Sequence, residues 1–353
     1  MSRMSPTTTE LHLPATDTWS GALPLPEWGV LQATGPDTAT FLHGQLSQDV
    51  QHLDATQARL AAYCSAKGRM QASAIALRPE AEMAWLLCDA SVLPALLKRL
   101  SMFVLRAKTK LSDAQAALRV LGLAGAAPRE LLATELPAAV ASAPATSIDS
   151  AGWRVLPWRG GHLVCLPTVQ DVPRWLWVGP IAESDALLAA LPALPAPAWA
   201  WLDVMSAVPR IQTATADQFV PQMVNFEVLG GVNFQKGCYP GQEVVARSQY
   251  RGTIKRRAVL VHSAGPLQPG QELFAESDPG QPAGMVVQSA AIPSDDGSAG
   301  GEAHSALVEI KLAAWQTPVR AGVPHGPVLH WADLPYPLPL ASPDVGDAQP
   351  AQA

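Results

Sequence analysis

The chain has 353 residues, 48% of them hydrophobic and 15% charged, with a formal net charge of −6. That length allows two or three domains with an ample core, and the composition excludes an intrinsically disordered chain. The acidic balance excludes a global electrostatic footprint for nucleic acid, though not a local basic patch.

Residues 1–20 are polar and expected to be loose; the opening Met1–Glu10 lacks an apolar core, so no secretory leader is expected. Hydrophobic patterning then predicts a strand over Gly29–Thr34, stopped by Gly35-Pro36, and a helix N-capped by Asp37 that carries Phe41, Leu42 and Leu46. Alternation over Arg59–Ser65 and Met70–Leu77 predicts a hairpin turning at Ala66-Lys67-Gly68, followed by a strand at Met83–Cys88. Leu93, Leu96, Leu97 and Leu100 recur at helical spacing within Ser91–Phe103. Leu105–Leu111 and Arg119–Leu123 read as strands, and a helix is expected around Arg129–Glu135, then a loop to about Ser150. Tryptophan-bearing strands follow at Trp153–Trp158, Leu163–Leu166 and Trp175–Val178, with helices over Ser184–Leu191 and Trp199–Ala207. After residue 257 the texture changes to short strands between Pro/Gly turns: Ala258–His262, Glu272–Phe274, Ala283–Ser289, His304–Ile310 and Val328–Trp331. That pattern predicts a small C-terminal β-barrel or sandwich, and the residues from 341 have the composition of a disordered tail.

The chemistry concentrates in residues 231–257. Cys238 sits between Lys236 and a turn of Tyr239, Pro240 and Gly241, ahead of a helix predicted from Gln242 to about Ser248. A cation and a helix N-terminus nearby favour a thiolate; a small buried cysteine in a tight turn is the alternative, and both stay open. The four cysteines, Cys64, Cys88, Cys165 and Cys238, form no C-x-x-C pair, so neither a zinc site nor a disulfide framework is expected. Free thiols suit a reducing cytoplasm. No apolar run is long enough to span a bilayer. His43 and His52 lack a third ligand at sensible spacing, so no metal is expected. Arg247, Arg251, Lys255, Arg256 and Arg257 form a dense basic cluster, which is either a solvated face or a grip for carboxylates or phosphates.

Three separated segments carry a family resemblance: Phe41–Val50, Ala61–Met70, and Pro221–Asn225 running into Lys236–Glu243, with its complete K-G-C-Y-x-G-Q-E motif. Together they resemble the YgfZ family of folate-binding proteins, from about Leu25 to Pro339. The resemblance implies an α+β fold of the aminomethyltransferase type: a three-domain ring with two mixed α/β domains and a small C-terminal β-barrel. It divides the chain into two intertwined folate-binding domains over 21–253 and a barrel over 254–340. It also implies a tetrahydrofolate or a derivative as cofactor, and a role in iron–sulfur cluster assembly or repair and in cluster-dependent tRNA modification. Client or assembly proteins would be partners, the basic cluster at 247–257 could touch tRNA, and the chain is expected to act as a monomer.

By the same resemblance Cys238 is the functional thiol, and Trp28 and Trp199 are the pterin contacts, which indole faces suit by stacking. Gln222, Asn225, Lys236, Tyr239, Gln242, Glu243 and Arg247 are the further cofactor-binding candidates. Two departures matter. Aminomethyltransferases carry a pair of aspartates after the hairpin glycine, where this chain has Gln71 and Ala72, so that reaction is not expected. Met205 stands where many relatives place an acid, leaving Asp203, Gln222, Asn225 or Glu243 to meet the pterin N–H groups. The alternative function is a folate-dependent one-carbon transferase acting on tRNA or protein, with Cys238 as nucleophile; a folate-binding module without chemistry is the third reading.

Overall fold

The computed structural model describes residues 11–136, 153–250, 254–315 and 317–339. Among the described residues, sixteen strands build two sheets. The first holds β1 (Gly21–Pro24), β2 (Trp28–Thr34), β3 (Gln57–Cys64), β4 (Met70–Glu80), β5 (Met83–Asp89), β6 (Lys110–Asp113), β7 (Leu118–Ala124), β8 (Trp153–Trp158), β9 (Gly161–Val169) and β10 (Val172–Pro180). Its order is β1-β7-β10-β9-β8-β3-β4-β5-β2-β6, with every neighbouring pair antiparallel. The helices are α1 (Thr38–His43), α2 (Leu93–Ser101), α3 (Ala126–Glu135), α4 (Ile181–Ala190), α5 (Ala196–Met205) and α6 (Gln242–Tyr250).

The two α+β halves share this one sheet. They join at β3 and β8, through the short register Gln57↔Arg154 and Ala58↔Trp153. Period-2 alternation explains why. Leu60 and Ala62 face a central core with Ile75 and Leu87, whereas Ala61 and Tyr63 face an outer one with Ala74 and Leu86. Helices α1 and α2 cover that outer face through Phe41, Leu42, Leu93, Leu96 and Leu100. In the second half, Leu121, Leu163 and Trp177 pack outward beside Leu132 of α3 and Leu187 of α4, while Val120, Val164 and Leu176 turn inward. Both halves therefore present apolar faces to one central core.

The second sheet holds β11 (Arg256–Ser263), β12 (Glu272–Ala275), β13 (Gly284–Ala291), β14 (His304–Lys311), β15 (Val319–Ala321) and β16 (Leu329–Ala332), in the order β15-β12-β13-β14-β11-β16. Its two edges approach at the bridge Arg320↔Val328, so the sheet curls into a half-barrel. Val259, Val261, Val286, Val308 and Ile310 fill it. Helix α5 buries Ala198, Trp199, Trp201, Leu202, Val204 and Met205, as the apolar stripe of a largely enclosed helix must. Trp201 on it donates from Nε1 to Ser305 Oγ at 2.8 Å, tying the helix to β14.

Several expectations shift. Asp37 stands at the N-cap of α1 but does not cap it; its carboxylate accepts the Lys108 backbone N–H at 2.7 Å instead. The strand expected from Leu105 begins only at Lys110. Strands β1 and β15 were not foreseen. Within the segment expected to be loose, Trp19 is buried, meets Trp201 edge to face at 5.7 Å, and donates to the Asp295 carbonyl at 2.9 Å. The loop expected up to Ser150 and the tail from 341 lie outside the described residues. Among the described residues, no helix is long and apolar enough to cross a membrane.

Candidate functional site

The three resembling segments meet at Ser47. Its hydroxyl accepts the Ala62 N–H at 2.8 Å and donates to the Gly231 carbonyl at 2.6 Å, while its carbonyl accepts the Asn233 N–H at 2.9 Å. Gln48 donates to the Gly230 carbonyl beside it. One small side chain thus pins the first segment to strand β3 and to the approach of the cysteine turn.

Lys236 completes this knot. Its ammonium donates to the carbonyl of His43, the last residue of α1, at 2.5 Å and to that of Leu46 beyond the helix at 2.9 Å, and sits 4.9 Å from the Tyr239 ring centroid. Burial pushes its pKa down to about 8, with Asp49 and Cys238 opposing. His43 Nδ1 lies 3.0 Å from Asp49 Oδ1, and His52 Nδ1 lies 2.8 Å from Asp49 Oδ2. Burial lowers the His43 pKa, helped by the Lys236 charge and opposed by Asp49. Both imidazoles are thus turned to one carboxylate; among the described residues no group of three or more His, Cys, Asp or Glu side chains is arranged to hold a metal ion.

The turn closes on two glycines. Gly241 has φ +78° and Gly68 has φ +71°, the left-handed region that favours glycine. A Cβ on Gly241 would lie 2.7 Å from Gly68 Cα and overlap the Ser65 carbonyl oxygen, so the hairpin tip and the cysteine turn touch backbone to backbone. Pro240 therefore stands outside α6, not within its first turn. Cys238 is held exposed on this platform, whereas Cys64, Cys88 and Cys165 are buried. Burial pushes the Cys64 and Cys88 thiols up to about 12.

A cavity lies elsewhere on the same strand. Ser73–Ile75 of β4, Trp28, Leu60, Leu87, Trp153, Leu166, Arg174 and Leu176 line it from the large sheet, and Asp203, Ser206 and Val208–Arg210 close it from the end of α5. Its walls lie close together: the space between them that a water-sized sphere can enter is about 30 Å3. Gly68, at the cysteine platform, is five residues from Ser73, about 16 Å of extended strand. Thiol and cavity are two sites joined by β4; none of Lys236, Cys238, Tyr239, Gln242, Glu243 and Arg247 lines the cavity.

The other candidates divide as follows. Trp28 lines the cavity, and its indole face carries the Arg210 guanidinium at 5.0 Å. Trp199 does not line it: it is 1% exposed, packs on Gly122 of β7, and carries Arg174 at 5.5 Å. Gln222 is buried, with Nε2 donating to the Val245 carbonyl at 2.9 Å. Asn225, at φ 58°, donates to the Ala258 carbonyl at 2.8 Å and so fastens the Pro221–Val224 turn to β11. Glu243 and Arg247 are exposed on α6, and Gln242 is half-buried. The basic cluster loses members: Arg256 pairs with Glu309 at 2.7 Å and Arg257 with Glu227 at 2.5 Å, both toward buried carboxylates. Arg251 lies outside the described residues; Arg247 and Lys255 are exposed. Gln71 lines a separate hollow with Tyr63, Arg99 and Asp217.

The reading from sequence passed over Arg174, Arg210 and Asp89. Arg174 was visible as a lone charge inside an apolar strand run, Val172–Val178, and Asp89 as the acid ending β5.

The chain is 34% identical over 250 residues to the tRNA-modifying protein YgfZ of Edwardsiella ictaluri, an alignment covering 69% of this chain and 70% of that protein. It is 31% identical over 277 residues to that of Klebsiella pneumoniae, covering 77% and 81%. The chain belongs to the YgfZ family. No family model matches it. Among solved structures, the glycine cleavage system aminomethyltransferase T from Bartonella henselae superposes with a TM-score of 0.67 at 18% identity, over 90% of this chain and 87% of that one. That likeness establishes the aminomethyltransferase-type α+β fold of this YgfZ family member, with its large antiparallel sheet and curled C-terminal sheet.

Proposed function

We propose that this chain binds a folate in the central cavity and supports iron–sulfur cluster assembly or repair, and through it tRNA modification, with Cys238 as the working thiol. The observation that carries the reading is the exposed Cys238 thiol, on a turn whose flanking residues Lys236, Tyr239 and Gly241 are all committed to holding it in place. The tRNA-modifying description of the relatives supports the biological end of the proposal.

Trp28, Arg174 and Arg210 line this space, and buried nitrogens of both arginines make no hydrogen bond within the chain, so they are donors that a folate ring could meet. A folate when bound would supply one-carbon or redox chemistry; this chain's residues would bind and orient it. One thiol cannot hold a cluster alone, so a partner protein or small thiol would supply the remaining ligands. Gln71 and Ala72, in place of the aspartate pair, argue against the transferase alternative. Contact with tRNA would fall to Arg247 and Lys255, since Arg256 and Arg257 are committed to ion pairs.

The test is complementation of a strain lacking its own family member. Cys238→Ser is expected to fold, to keep folate affinity by calorimetry, and to lose rescue of a cluster-dependent tRNA-modifying enzyme. Full rescue by the serine variant would remove the thiol from the function.

A further inference from the structure

The loop between α2 and β6 is basic in an acidic chain. Residues 90–112 hold Lys98, Arg99, Arg106, Lys108 and Lys110 and no Asp or Glu, whereas the whole chain has a net charge of −6. All five cations are exposed, and among the described residues none of their side chains forms an ion pair. The same loop turns apolar side chains to solvent: Leu105 is 87% exposed, Met102 59% and Phe103 42%.

The loop is held in this shape. The Phe103 N–H donates to the Leu100 carbonyl at 2.9 Å, and the Ala107 N–H to the Val104 carbonyl at 2.7 Å. Val104 and Ala107 pack on the outer core, and the Asp37 carboxylate takes the Lys108 backbone N–H at 2.7 Å. Leu105 sits at φ 31°, where a leucine is disfavoured. Ordinary roles account for part of the charge. Lys98 and Arg99 in the last turn of α2 suit the helix dipole, and Lys110 guards β6, an edge strand of the large sheet. Neither role needs Arg106, Lys108 or three exposed apolar side chains.

An occupant has to offer anionic groups and apolar surface side by side. Phosphates of RNA answer the cations, and the faces of unstacked bases answer the apolar side chains. A duplex offers the phosphates but hides the base faces. We propose that the 98–110 loop is a docking surface for single-stranded RNA, such as a loop of a tRNA. This rests on the tRNA reading above, which favours RNA over an anionic bilayer, and it adds a second, larger surface to Arg247 and Lys255. Arg99 stands at its inner border. Its guanidinium lies 5.9 Å from the Phe103 ring centroid, and with Tyr63 and Gln71 it lines a hollow of about 290 Å3. Tyr63 is bridged to Leu46, whose carbonyl accepts from Lys236, so the surface is linked to the cysteine turn.

The experiment is fluorescence anisotropy of the full chain with a labelled tRNA transcript across a salt series, with an RNA duplex and phosphatidylserine vesicles as the other probes. The duplex is expected to bind more weakly than the tRNA, and the vesicles not at all. Replacing Arg106, Lys108 and Lys110 together by Gln should make the slope of log affinity against log salt less steep by roughly two, at about 0.7 for each lost phosphate contact. Phe103→Ala with Leu105→Ala should weaken binding at least about fivefold at every salt concentration and leave the slope alone, as loss of a stacked base does. Both variants are expected to keep the parent's circular dichroism; Leu105→Ala alone serves if the pair does not. Unchanged tRNA binding in both variants, with loss on changing Arg247 and Lys255 to Gln, overturns the inference and leaves the tRNA reading standing. Duplex binding as tight as tRNA binding overturns it as well. So does vesicle binding or self-association that the Phe103 and Leu105 changes abolish, which would assign the loop to a bilayer or to a second copy of the chain. Binding of no RNA overturns the tRNA reading and the inference together.

Discussion

The guanidinium of Arg210 lies 5.0 Å over the indole of Trp28, so the ring face expected to receive a pterin already carries a cation. Such a contact is worth about 0.5–2 kcal/mol. Arg210 is placed from the C-terminal sheet. Gln288 of β13 accepts the Arg210 N–H at 2.8 Å and donates to the Val208 carbonyl at 3.2 Å, next to Ala207 at φ 53°.

Gln288→Leu therefore removes three bonds that fix the cavity wall, to Arg210, Val208 and the Asp203 carbonyl, and leaves buried partners unmet. We expect a loss of about 1–3 kcal/mol in urea unfolding and weaker folate binding by calorimetry. Unchanged affinity would mean that the Val208–Arg210 segment holds its shape without the second sheet.

Thiol counting tests the exposure of the cysteine turn. Native protein should react with one equivalent of a thiol reagent quickly, at Cys238, and with three more only after denaturation. Cys64, Cys88 and Cys165 are buried, and burial raises the pKa of each. Cys238→Ser should abolish the fast phase alone. A fast phase surviving in that variant would place a second thiol at the surface.

Gly241→Ala should be among the most disruptive small substitutions in the chain. It puts a side chain at φ +78° and against the backbone of Ser65 and Gly68. The left-handed conformation alone costs about 1–2 kcal/mol, and the displaced backbone adds to it. Thermal melting should fall accordingly, whereas Gly301→Ala, with open space around it, should melt like the parent. Similar melting of the two variants would show that the hairpin tip and the cysteine turn are not in firm contact.

Glu309 and Arg256 give a pH signature. Burial raises the Glu309 pKa above its ordinary 4.5, with Arg256 opposing. A folded value above the unfolded one means that Glu309 contributes stability below about pH 4.5 that is lost as pH rises through the folded value. The stability of the parent relative to Glu309→Gln should therefore fall as pH is raised from about 4.5 to about 7. A pH-independent difference, from urea unfolding across that range, would contradict the shift.

Much of the fold was legible because its signals are local. Alternation at Arg59–Ser65 and Met70–Leu77 marks a hairpin whatever surrounds it, and β3 and β4 form it. The leucines of α2 and the strand texture after residue 257 are of the same kind. The K-G-C-Y motif drew attention to Cys238, which is exposed. It could not tell that the Lys236 ammonium donates to the carbonyls of His43 and Leu46, about 190 residues earlier. Asn225 and Gln222 looked like ligand contacts for the same reason: a polar side chain in a motif does not announce which buried group it will meet.

Most of the strands and helices, the turn at Gly68 and the placement of Cys238 before a helix follow from the sequence alone, since they depend on neighbours within a few residues. The cavity does not. Trp28, Arg174, Asp203 and Arg210 come from β2, β10, α5 and the segment after it. Only the packing of both halves of the large sheet and the curled sheet around one core brings their atoms within a few ångströms. Whether a tryptophan holds a ligand or an arginine is decided at that distance, where burial and hydrogen bonding act.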